Sequence, residues 1–409
     1  MTGNYAIIGE AQRRLPDEAT IAAIRARYPV EPEIDAVLTR KMHRRHGPGY
    51  VPATLERLVE GIGALVTARV GYPVEVADAR WLGGGASKLQ VLFDLKWHGP
   101  DGKEPRTDTL VLRMEPSASI TESSRYREFE VLEAVQGVIP SPKPWWVDGE
   151  GEFLPYPALI YGFVTGVAKP GYDAGKVTGL GQNYGPELRA QLSGDFIGML
   201  ATIHRIDVNG ISGMAHFARP EVGSNQAAIW RVNALRRVWE EDRVEEEPVL
   251  EVVYRWLIAN APPLDHLSIV HGDYRSGNFL FDEDAGRITA WLDWEGASLG
   301  DRHQDLTYAA MPSFSHYAED ETTLLASGMM SAPDFYAAYE KASGLPVDPV
   351  RLVYYGVFNR YLIAVLTIGA AARASRSRGT HQDVLVNYLI GLGWGALAEL
   401  RDYFMGAMA

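Results

Sequence analysis

The residues best suited to chemistry lie in residues 269–281, which read IVHGDYRSGNFLF. Asp273 and Asn278 stand between two apolar stretches, so the pattern predicts a tight loop between two short strands. Asp293 follows fifteen residues after Asn278, at the end of another apolar stretch. If the strands on either side pair as a hairpin, Asn278 and Asp293 lie near the same end of it.

The chemistry that such a set could perform is phosphoryl transfer. Amide and carboxylate oxygens are hard ligands that suit Mg²⁺, and two of them leave room for substrate phosphates. Transfer also needs a carboxylate that accepts the proton of the attacking hydroxyl, and Asp273 fits that role. The order His-x-Asp-x4-Asn, followed by an Asp at a strand end, matches the catalytic set of kinases.

The elements that would position these residues change character near residue 75. Before it, residues 52–69 carry apolar side chains at helical spacing. After it, two predicted strands flank a glycine-rich turn, which argues against a dinucleotide-binding motif because that motif opens a helix. The predicted elements of this region are strands at 74–81, 89–97, 109–114, 145–147 and 158–163 and a helix through 123–135.

Beyond residue 185 the pattern is mainly helical, and no internal repeat is visible. The predicted helices lie at 187–206, 238–261, 333–342, 350–374 and 382–403, with short strands at 267–270, 279–281 and 288–292. This order predicts a small sheet-rich lobe followed by a larger helical lobe.

Composition and charge exclude several classes of function. The chain has 409 residues and a formal net charge of -13, which disfavours nucleic acid and anionic membranes as partners. With no cysteine, it has neither disulfides nor thiolate chemistry. The most apolar stretch, residues 361–372, is too short to cross a bilayer and is expected to be a core helix. Without the apolar core of a signal peptide at its N-terminus, the chain is expected to be soluble and cytoplasmic.

These motifs resemble those of a known family. HGDYRSGN, at 271–278, and LDWEGASLGDRHQDL, at 292–306, are similar to the two signatures of the aminoglycoside phosphotransferase-like kinases, which share the protein-kinase fold. The resemblance covers roughly residues 75–400. It is nearest to the kinase domains found fused to acyl-CoA dehydrogenases, through GGAS at 84–87, VLRM at 111–114 and the Trp256-Leu pair.

The resemblance implies an α+β, bilobal, protein-kinase-like fold. Its N-terminal lobe would be an antiparallel sheet, and its larger C-terminal lobe would be mainly helical. The implied organisation is a helical N-terminal extension (1–75), a nucleotide-binding lobe (76–166) and a catalytic and substrate-binding lobe (167–409). ATP and Mg²⁺ would be the cofactors, and the protein would be a small-molecule kinase.

The resemblance also implies a role for individual residues. Asp273 would be the catalytic base, and Asn278 and Asp293 would bind Mg²⁺. Arg113 would contact the nucleotide phosphates where most kinases place a lysine, and Glu128 would pair with it. The change from lysine keeps the charge but replaces a point charge by a planar fork.

The remaining implied contacts are with the nucleotide. Gly84, Gly85 and Ser87 would form the loop over its phosphates, and the backbone near Gly162 and Phe163 would meet the adenine. Two further residues of the signatures, His271 and Asp305, are predicted to brace the catalytic loop rather than to act on the substrate.

Two alternatives remain open. Residues 296–300, GASLG, formally satisfy the Gly-x-Ser-x-Gly pattern, so Ser298 could be the nucleophile of a serine hydrolase. However, residues 293–295 separate the predicted strand from the first glycine, whereas a nucleophile elbow needs a turn directly after a strand. The second alternative is a catalytically silent binding module that retains the kinase fold.

The sequence does not decide between two classes of hydroxyl-bearing small molecule as the phosphate acceptor. An aminoglycoside-like polycation could meet the acidic run at 240–247, if that run is an exposed helix face. A hydroxyacyl thioester could instead place its anionic carrier on the basic run at 40–46, which otherwise is expected to be a solvated helix end. The oligomeric state also stays open, with a homodimer among the alternatives.

Overall fold

The structure is a computed structural model that describes residues 8–47, 52–83, 88–100, 102–171, 180–376 and 383–408. It confirms the predicted α+β class, with one five-stranded antiparallel sheet followed by a mainly helical region. Four helices precede the sheet: α1 (Glu10–Arg14), α2 (Glu18–Arg27), α3 (Pro32–Arg44) and α4 (Leu55–Val70).

Side chains along the strands point alternately to the two faces of the sheet, and each face is buried against other elements. The sheet and its helix consist of β1 (Glu75–Trp81), β2 (Leu89–Trp97), β3 (Arg106–Met114), α5 (Arg125–Val135), β4 (Pro144–Asp148) and β5 (Ala158–Gly162). The strand order is β1-β2-β3-β5-β4. On β2, Val91 and Phe93 point toward α4, whereas Leu92 packs with the cluster that includes α5.

The four N-terminal helices pack against two different parts of the molecule. Leu58 and Ile62 of α4 are fully buried in the apolar cluster on the outer face of the sheet. Leu38 of α3 instead joins the core of the helical region. The boundaries at 75/76 and 166/167 stay predictions, but the helices before residue 75 contribute to both lobes.

The C-terminal region is mainly helical, with short strand pairs inserted around the predicted catalytic loop. Its elements are α6 (Gly185–His204), α7 (Gln226–Asp242), α8 (Pro248–Ala259), β6 (Ser268–Val270), β7 (Phe279–Asp282), β8 (Arg287–Trp291), β9 (Ser298–Gly300), α9 (His303–Ala309), β10 (His316–Tyr317), β11 (Leu324–Ala326), β12 (Met330–Ser331), α10 (Ala332–Ser343), α11 (Pro349–Ala364), α12 (Ala371–Arg376) and α13 (Asp383–Met408).

The helix predicted at 238–261 is wrong, because the structure divides it into α7 and α8. The backbone leaves the helical conformation at Arg243, and α8 begins at Pro248. Proline lacks a backbone N–H and favours the first helical turn, so it starts a helix rather than continuing one. Glu247 caps the new helix by accepting a hydrogen bond from the Val249 N–H at 3.2 Å.

The apolar stretch expected as a core helix lies in a continuous helical run from α11 through a π-helical turn (Val365–Ala370) to α12. Among the described residues, this run is the one helix with the length and apolar character to cross a membrane, but 78% of its most apolar window is buried inside the protein. Such burial is typical of a core helix.

Candidate active site

The β7–β8 hairpin brings Asn278 and Asp293 to the same end, as predicted. Phe279 pairs with Trp291 in the antiparallel register. One position further on, the Leu292 N–H donates to the Asn278 carbonyl at 2.8 Å. Asp293 follows immediately, so both proposed metal ligands leave the hairpin at adjoining positions.

The loop before Asn278 is anchored by Asp305. Its two carboxylate oxygens accept hydrogen bonds from the backbone N–H groups of His271 and Gly272, at 2.7 and 2.8 Å. Asp305 is fully buried and also contacts His204 Nε2 at 3.2 Å. Gly272 has φ +83°, and a Cβ there would lie 2.4 Å from the Gly296 carbonyl oxygen. Only glycine therefore fits this bend.

His271 braces the loop from inside. The Asp273 N–H donates to His271 Nδ1 at 3.2 Å, so Nδ1 is an acceptor. The proton of the neutral ring is then on Nε2, which contacts the Leu292 carbonyl oxygen at 3.0 Å. Because both ring nitrogens bond to backbone groups, the geometry agrees with the structural role expected for His271.

Asp273 is held in a setting that suits a proton acceptor. Its side chain is 25% exposed, and Arg275 Nε donates to its Oδ1 at 2.9 Å. The Arg275 guanidinium lies over the Phe314 ring, 4.8 Å from its centre, and this cation–π contact holds it in place. Burial raises the pKa of Asp273 and the nearby Asp293 adds to this, although Arg275 opposes it. A raised pKa makes the carboxylate a stronger base.

Asn278 and Asp293 fit the requirements of a magnesium site. Asn278 Nδ2 donates to the Asp273 carbonyl at 2.8 Å, which identifies the nitrogen of the amide and directs its oxygen elsewhere. Asp293 has a left-handed backbone with φ +62° and a side chain that is 28% exposed. Non-glycine residues in this region are strained and cluster at functional sites. An amide oxygen and a carboxylate are the hard ligands that Mg²⁺ takes.

Arg113 joins the sheet to this centre. It lies on β3, and its Nε is 3.1 Å from Glu128 Oε1 on α5, so the predicted Arg113–Glu128 pair is present. The guanidinium also forms ion pairs with Asp293 and Glu295. Burial alone would lower the pKa of Arg113, but Glu128, Asp293 and Glu295 raise it well above its ordinary value. Arg113 is therefore a permanent cation beside the candidate metal ligands.

Lys88 and Glu295 extend this network, and sequence reasoning gave neither of them a role. Lys88 Nζ lies 2.7 Å from Glu295 Oε2 and 3.2 Å from Glu115 Oε2, and its side chain is fully buried. Arg125 adds a second buried cation beside Glu115 and Glu128. The available signals were the positions of Lys88, directly after the glycine-rich turn, and of Glu295, two positions after Asp293.

The network predicts an acid-dependent contribution of Glu295 to stability. Burial would raise the pKa of Glu295, but Lys88, Arg113 and Arg125 lower it from an ordinary 4.5 to about 2. A depressed folded-state pKa stabilises the protein above the unfolded-state pKa, and this contribution is lost as the pH falls toward 2. We therefore expect Glu295→Gln to be markedly less stable than the wild type at neutral pH, with the difference shrinking below about pH 4.5.

Urea unfolding at several pH values measures this difference. The exposed loop variant Glu104→Gln controls for the loss of one carboxylate and should change the free energy of unfolding little. A gap between Glu295→Gln and the wild type that stays constant down to pH 2 would contradict the assignment.

A sequence model described as "Phosphotransferase enzyme family" matches residues 82–348, which is more than half of the chain and includes Arg113, Asp273, Asn278 and Asp293. The chain belongs to this phosphotransferase family. The predicted family and kinase-like fold are thereby confirmed.

Individual relatives agree with this assignment at lower identity. "Probable acyl-CoA dehydrogenase IBR3" of Arabidopsis thaliana is 27% identical over 311 residues, which cover 71% of this chain and 37% of that protein. "Acyl-CoA dehydrogenase family member 10" of Mus musculus is 22% identical, and the alignment covers 70% of this chain and 27% of that protein. The chain thus spans about a third of the length of these relatives.

A solved structure from Ralstonia eutropha, described as a candidate aminoglycoside phosphotransferase, has the same fold. The TM-score is 0.58 at 19% sequence identity, and the superposition covers 84% of this chain and 97% of the other.

The predicted nucleotide contacts of the phosphotransferase can be placed only in part. Gly84, Gly85 and Ser87 lie outside the described residues. Gly162 ends β5, and its N–H donates to the Lys143 carbonyl at 2.8 Å, whereas the Phe163 N–H donates to Thr109 at 3.0 Å. Both N–H groups are therefore used inside the sheet. Neither N–H group is thus free to donate to a nucleotide, and the adenine contact at Gly162 and Phe163 stays a prediction.

Ser298 does not have the geometry of a nucleophile elbow. It lies within β9, paired with Val270 of β6, and is 2% exposed. An elbow requires a serine on a sharp turn between a strand and a helix. Gly296 instead packs against Gly272 in the candidate catalytic loop.

Only the first part of the acidic run at 240–247 lies on α7, and that part is not an exposed face, whereas Glu245 and Glu246 are exposed in the loop before α8. Glu240, Glu241 and Asp242 are each at most 5% exposed and pair with buried cations. The basic run at 40–46 is not simply solvated either, because Lys41 is 3% exposed and lies 2.7 Å from Asp242. Lys41 and Arg45 pair with Glu241 and Asp242 across the α3–α7 contact. Sequence reasoning could not foresee these pairs because the residues are about two hundred positions apart.

Proposed function

We propose that the protein transfers the γ-phosphate of ATP to a hydroxyl group of a small molecule, with Asp273 as the base. The observation that carries this proposal is the convergence of Asp273, Asn278 and Asp293 at one end of the hairpin, beside the Arg113–Glu128 pair. Membership of a phosphotransferase family supports the reaction class.

In this reaction the hydroxyl oxygen of the acceptor attacks the γ-phosphorus and ADP leaves. The hydroxyl proton passes to the carboxylate of Asp273, whose raised pKa favours accepting it. Arg275 holds the Asp273 carboxylate in one orientation through its Nε–H. Most of the rate enhancement in such transfers comes from positioning and charge stabilisation rather than from covalent chemistry.

The residues that would hold Mg²⁺ are Asn278, through its amide oxygen, and Asp293, through its carboxylate. When bound, Mg²⁺ supplies neutralisation of the negative charge on the β- and γ-phosphates. Arg113 would add a fixed positive charge on the same side, as its contact with Asp293 indicates. Glu128 keeps the Arg113 guanidinium in place by an ion pair that is almost fully buried.

Between the two acceptor classes, we propose the hydroxyacyl thioester. The one sequence feature suited to a polycation was the acidic run at 240–247. Its carboxylates at 240–242 are buried beside cations, Glu246 pairs with Arg243 and Glu247 caps α8, which leaves Glu245 as an exposed carboxylate of the run. The relatives named above are called acyl-CoA dehydrogenases, which favours an acyl thioester. A panel of hydroxylated acyl thioesters and aminoglycosides, assayed for acceptor-dependent ATP consumption, tests this choice. Consumption with aminoglycosides alone would contradict it.

The contact between Arg275 and Asp273 predicts a change in pH dependence. The general base works ionised, so kcat/KM should rise with pH through the pKa of Asp273 in the free enzyme. Because Arg275 lowers that pKa, Arg275→Ala should move the acidic limb of the profile to higher pH, and Arg275→Lys should move it less.

The pH profiles of kcat/KM for the three proteins measure this shift. Arg287→Ala removes an exposed arginine at the start of β8 and should leave the limb unchanged. If Arg275→Ala only lowered the rate, with its acidic limb unmoved, Asp273 would not be the group that titrates.

A further inference from the structure

A cavity lies away from the candidate active site, between the N-terminal helices and the end of α7. Its volume is about 650 Å³. The walls come from α1 and α3, the loop between β3 and α5, residues 241–244 and α12. A cavity of this size accommodates a small molecule.

The cavity is strongly basic although the chain as a whole is acidic. Eight of its lining residues are arginine or lysine and four are aspartate or glutamate, whereas the chain carries a formal net charge of -13. Three of the four acidic residues, Glu122, Glu241 and Asp242, form ion pairs with lining cations, and Asp242 alone lies 2.7 Å from Lys41, Arg45 and Arg373. A positively charged cavity on an otherwise negative protein raises the local concentration of anions.

Part of this positive charge lacks a partner among the described residues. Arg14 and Arg376 are exposed at the cavity, and neither forms an ion pair with another residue of the described ranges. Burial and the charge of Arg243 lower the pKa of Arg13, although Glu246, Glu240 and Glu10 oppose them. The two exposed arginines leave positive charge at the cavity that a bound anion would neutralise.

We propose that this cavity binds the phosphate group of a small anionic ligand. Arginine is suited to this task because its planar fork of N–H donors matches phosphate oxygens bidentately. The site goes beyond the phosphotransfer centre, since none of Asp273, Asn278 and Asp293 lines it.

The cavity is nevertheless connected to that centre by one loop. Arg373 Nη2 donates to the Ser119 carbonyl at 3.0 Å, and Lys88 Nζ lies 3.1 Å from Ser119 Oγ. Lys88 in turn pairs with Glu295, beside Arg113 and Asp293. The phosphate could therefore belong to a free effector or to the far end of the acceptor itself.

Calorimetry with inorganic pyrophosphate tests the site. The protein is first saturated with Mg²⁺ and a non-hydrolysable ATP analogue, so that the nucleotide site is filled. We expect pyrophosphate to bind the wild type and to bind Arg14→Glu/Arg376→Glu about tenfold more weakly or worse, a loss expected for charge-assisted contacts. The control Arg57→Glu/Arg69→Glu reverses two exposed arginines of α4, outside the cavity, and should bind like the wild type.

Equal pyrophosphate affinity in all three proteins, or no binding by the wild type, would overturn the proposal. Because the replaced side chains are exposed, both double variants are expected to fold, and thermal unfolding verifies this. The binding assay needs no turnover. Pyrophosphate binding can therefore be absent in a protein that is an active kinase, and it can be present in a protein that shows no kinase activity.

Kinetics then identify the source of the phosphate. If it belongs to the acceptor, Arg14→Glu/Arg376→Glu raises KM for a thioester on a phosphate-bearing carrier but not for the same acyl group on a carrier without phosphate. If it is a free effector, pyrophosphate changes the rate of the wild type with both acceptors and that of the variant with neither.

Discussion

Replacing Asp273 with alanine is expected to lower the rate of phosphoryl transfer by about 10²- to 10⁴-fold, the contribution typical of a positioned general base. The carboxylate is the acidic group of the catalytic loop, and its pKa is raised by burial and by Asp293. The loop itself should persist, because Asp305 and His271 hold it through backbone N–H groups that the substitution leaves in place.

The measurement is kcat for acceptor-dependent ADP formation, together with the Kd for a non-hydrolysable ATP analogue. We expect kcat to fall and Kd to change little. Asp284→Ala removes an exposed carboxylate from the turn of the same β7–β8 hairpin and should leave both values near those of the wild type. A protein that lost nucleotide binding and activity together after Asp273→Ala would indicate a collapsed loop rather than a lost base.

Replacing Arg113 with methionine is expected to lower the free energy of unfolding by about 3–5 kcal/mol, the cost typical of leaving buried charges without their partner. Three carboxylates, those of Glu128, Asp293 and Glu295, lie around its guanidinium. The side chain of Arg113 is 6% exposed, so water cannot replace the lost cation effectively. Nucleotide affinity should fall as well.

Arg113→Lys separates charge from geometry. It restores a cation but provides a single ammonium where the guanidinium reaches Glu128 and Asp293 through different nitrogens. We expect intermediate stability and partial recovery of nucleotide binding, measured by urea unfolding and by calorimetry. Wild-type stability for Arg113→Met would contradict the interpretation of Arg113 as the junction of the network.

The catalytic hairpin could be predicted from sequence because its signals are local. The strand predicted at 89–97 has the observed bounds of β2, and β7 and β8 pair as the spacing of Asn278 and Asp293 indicated. Hydrophobic alternation reports which residues face a core, and polar residues at strand ends then mark the site.

The ionic network could not be predicted because its members are distant in sequence. Lys88 and Glu295 form an ion pair between the two lobes, and the residues next to either one in the sequence do not indicate its partner. The same reason applies to the first part of the acidic run at 240–247: charged residues are normally solvated, and the tertiary contacts of Glu241 and Asp242 with Lys41 and Arg45 bury these two. The loop at Gly84, Gly85 and Ser87 stays a prediction.

The most direct test of the central claim follows the label from [γ-³²P]ATP. The wild type, with Mg²⁺ and a panel of hydroxyacyl thioesters and aminoglycosides, is predicted to place the label on the hydroxyl of an acceptor. Asp273→Ala should transfer far less under the same conditions. A wild-type protein that binds nucleotide but labels no acceptor of either class, with Asp273→Ala indistinguishable from it, would contradict the account and identify a silent binding module.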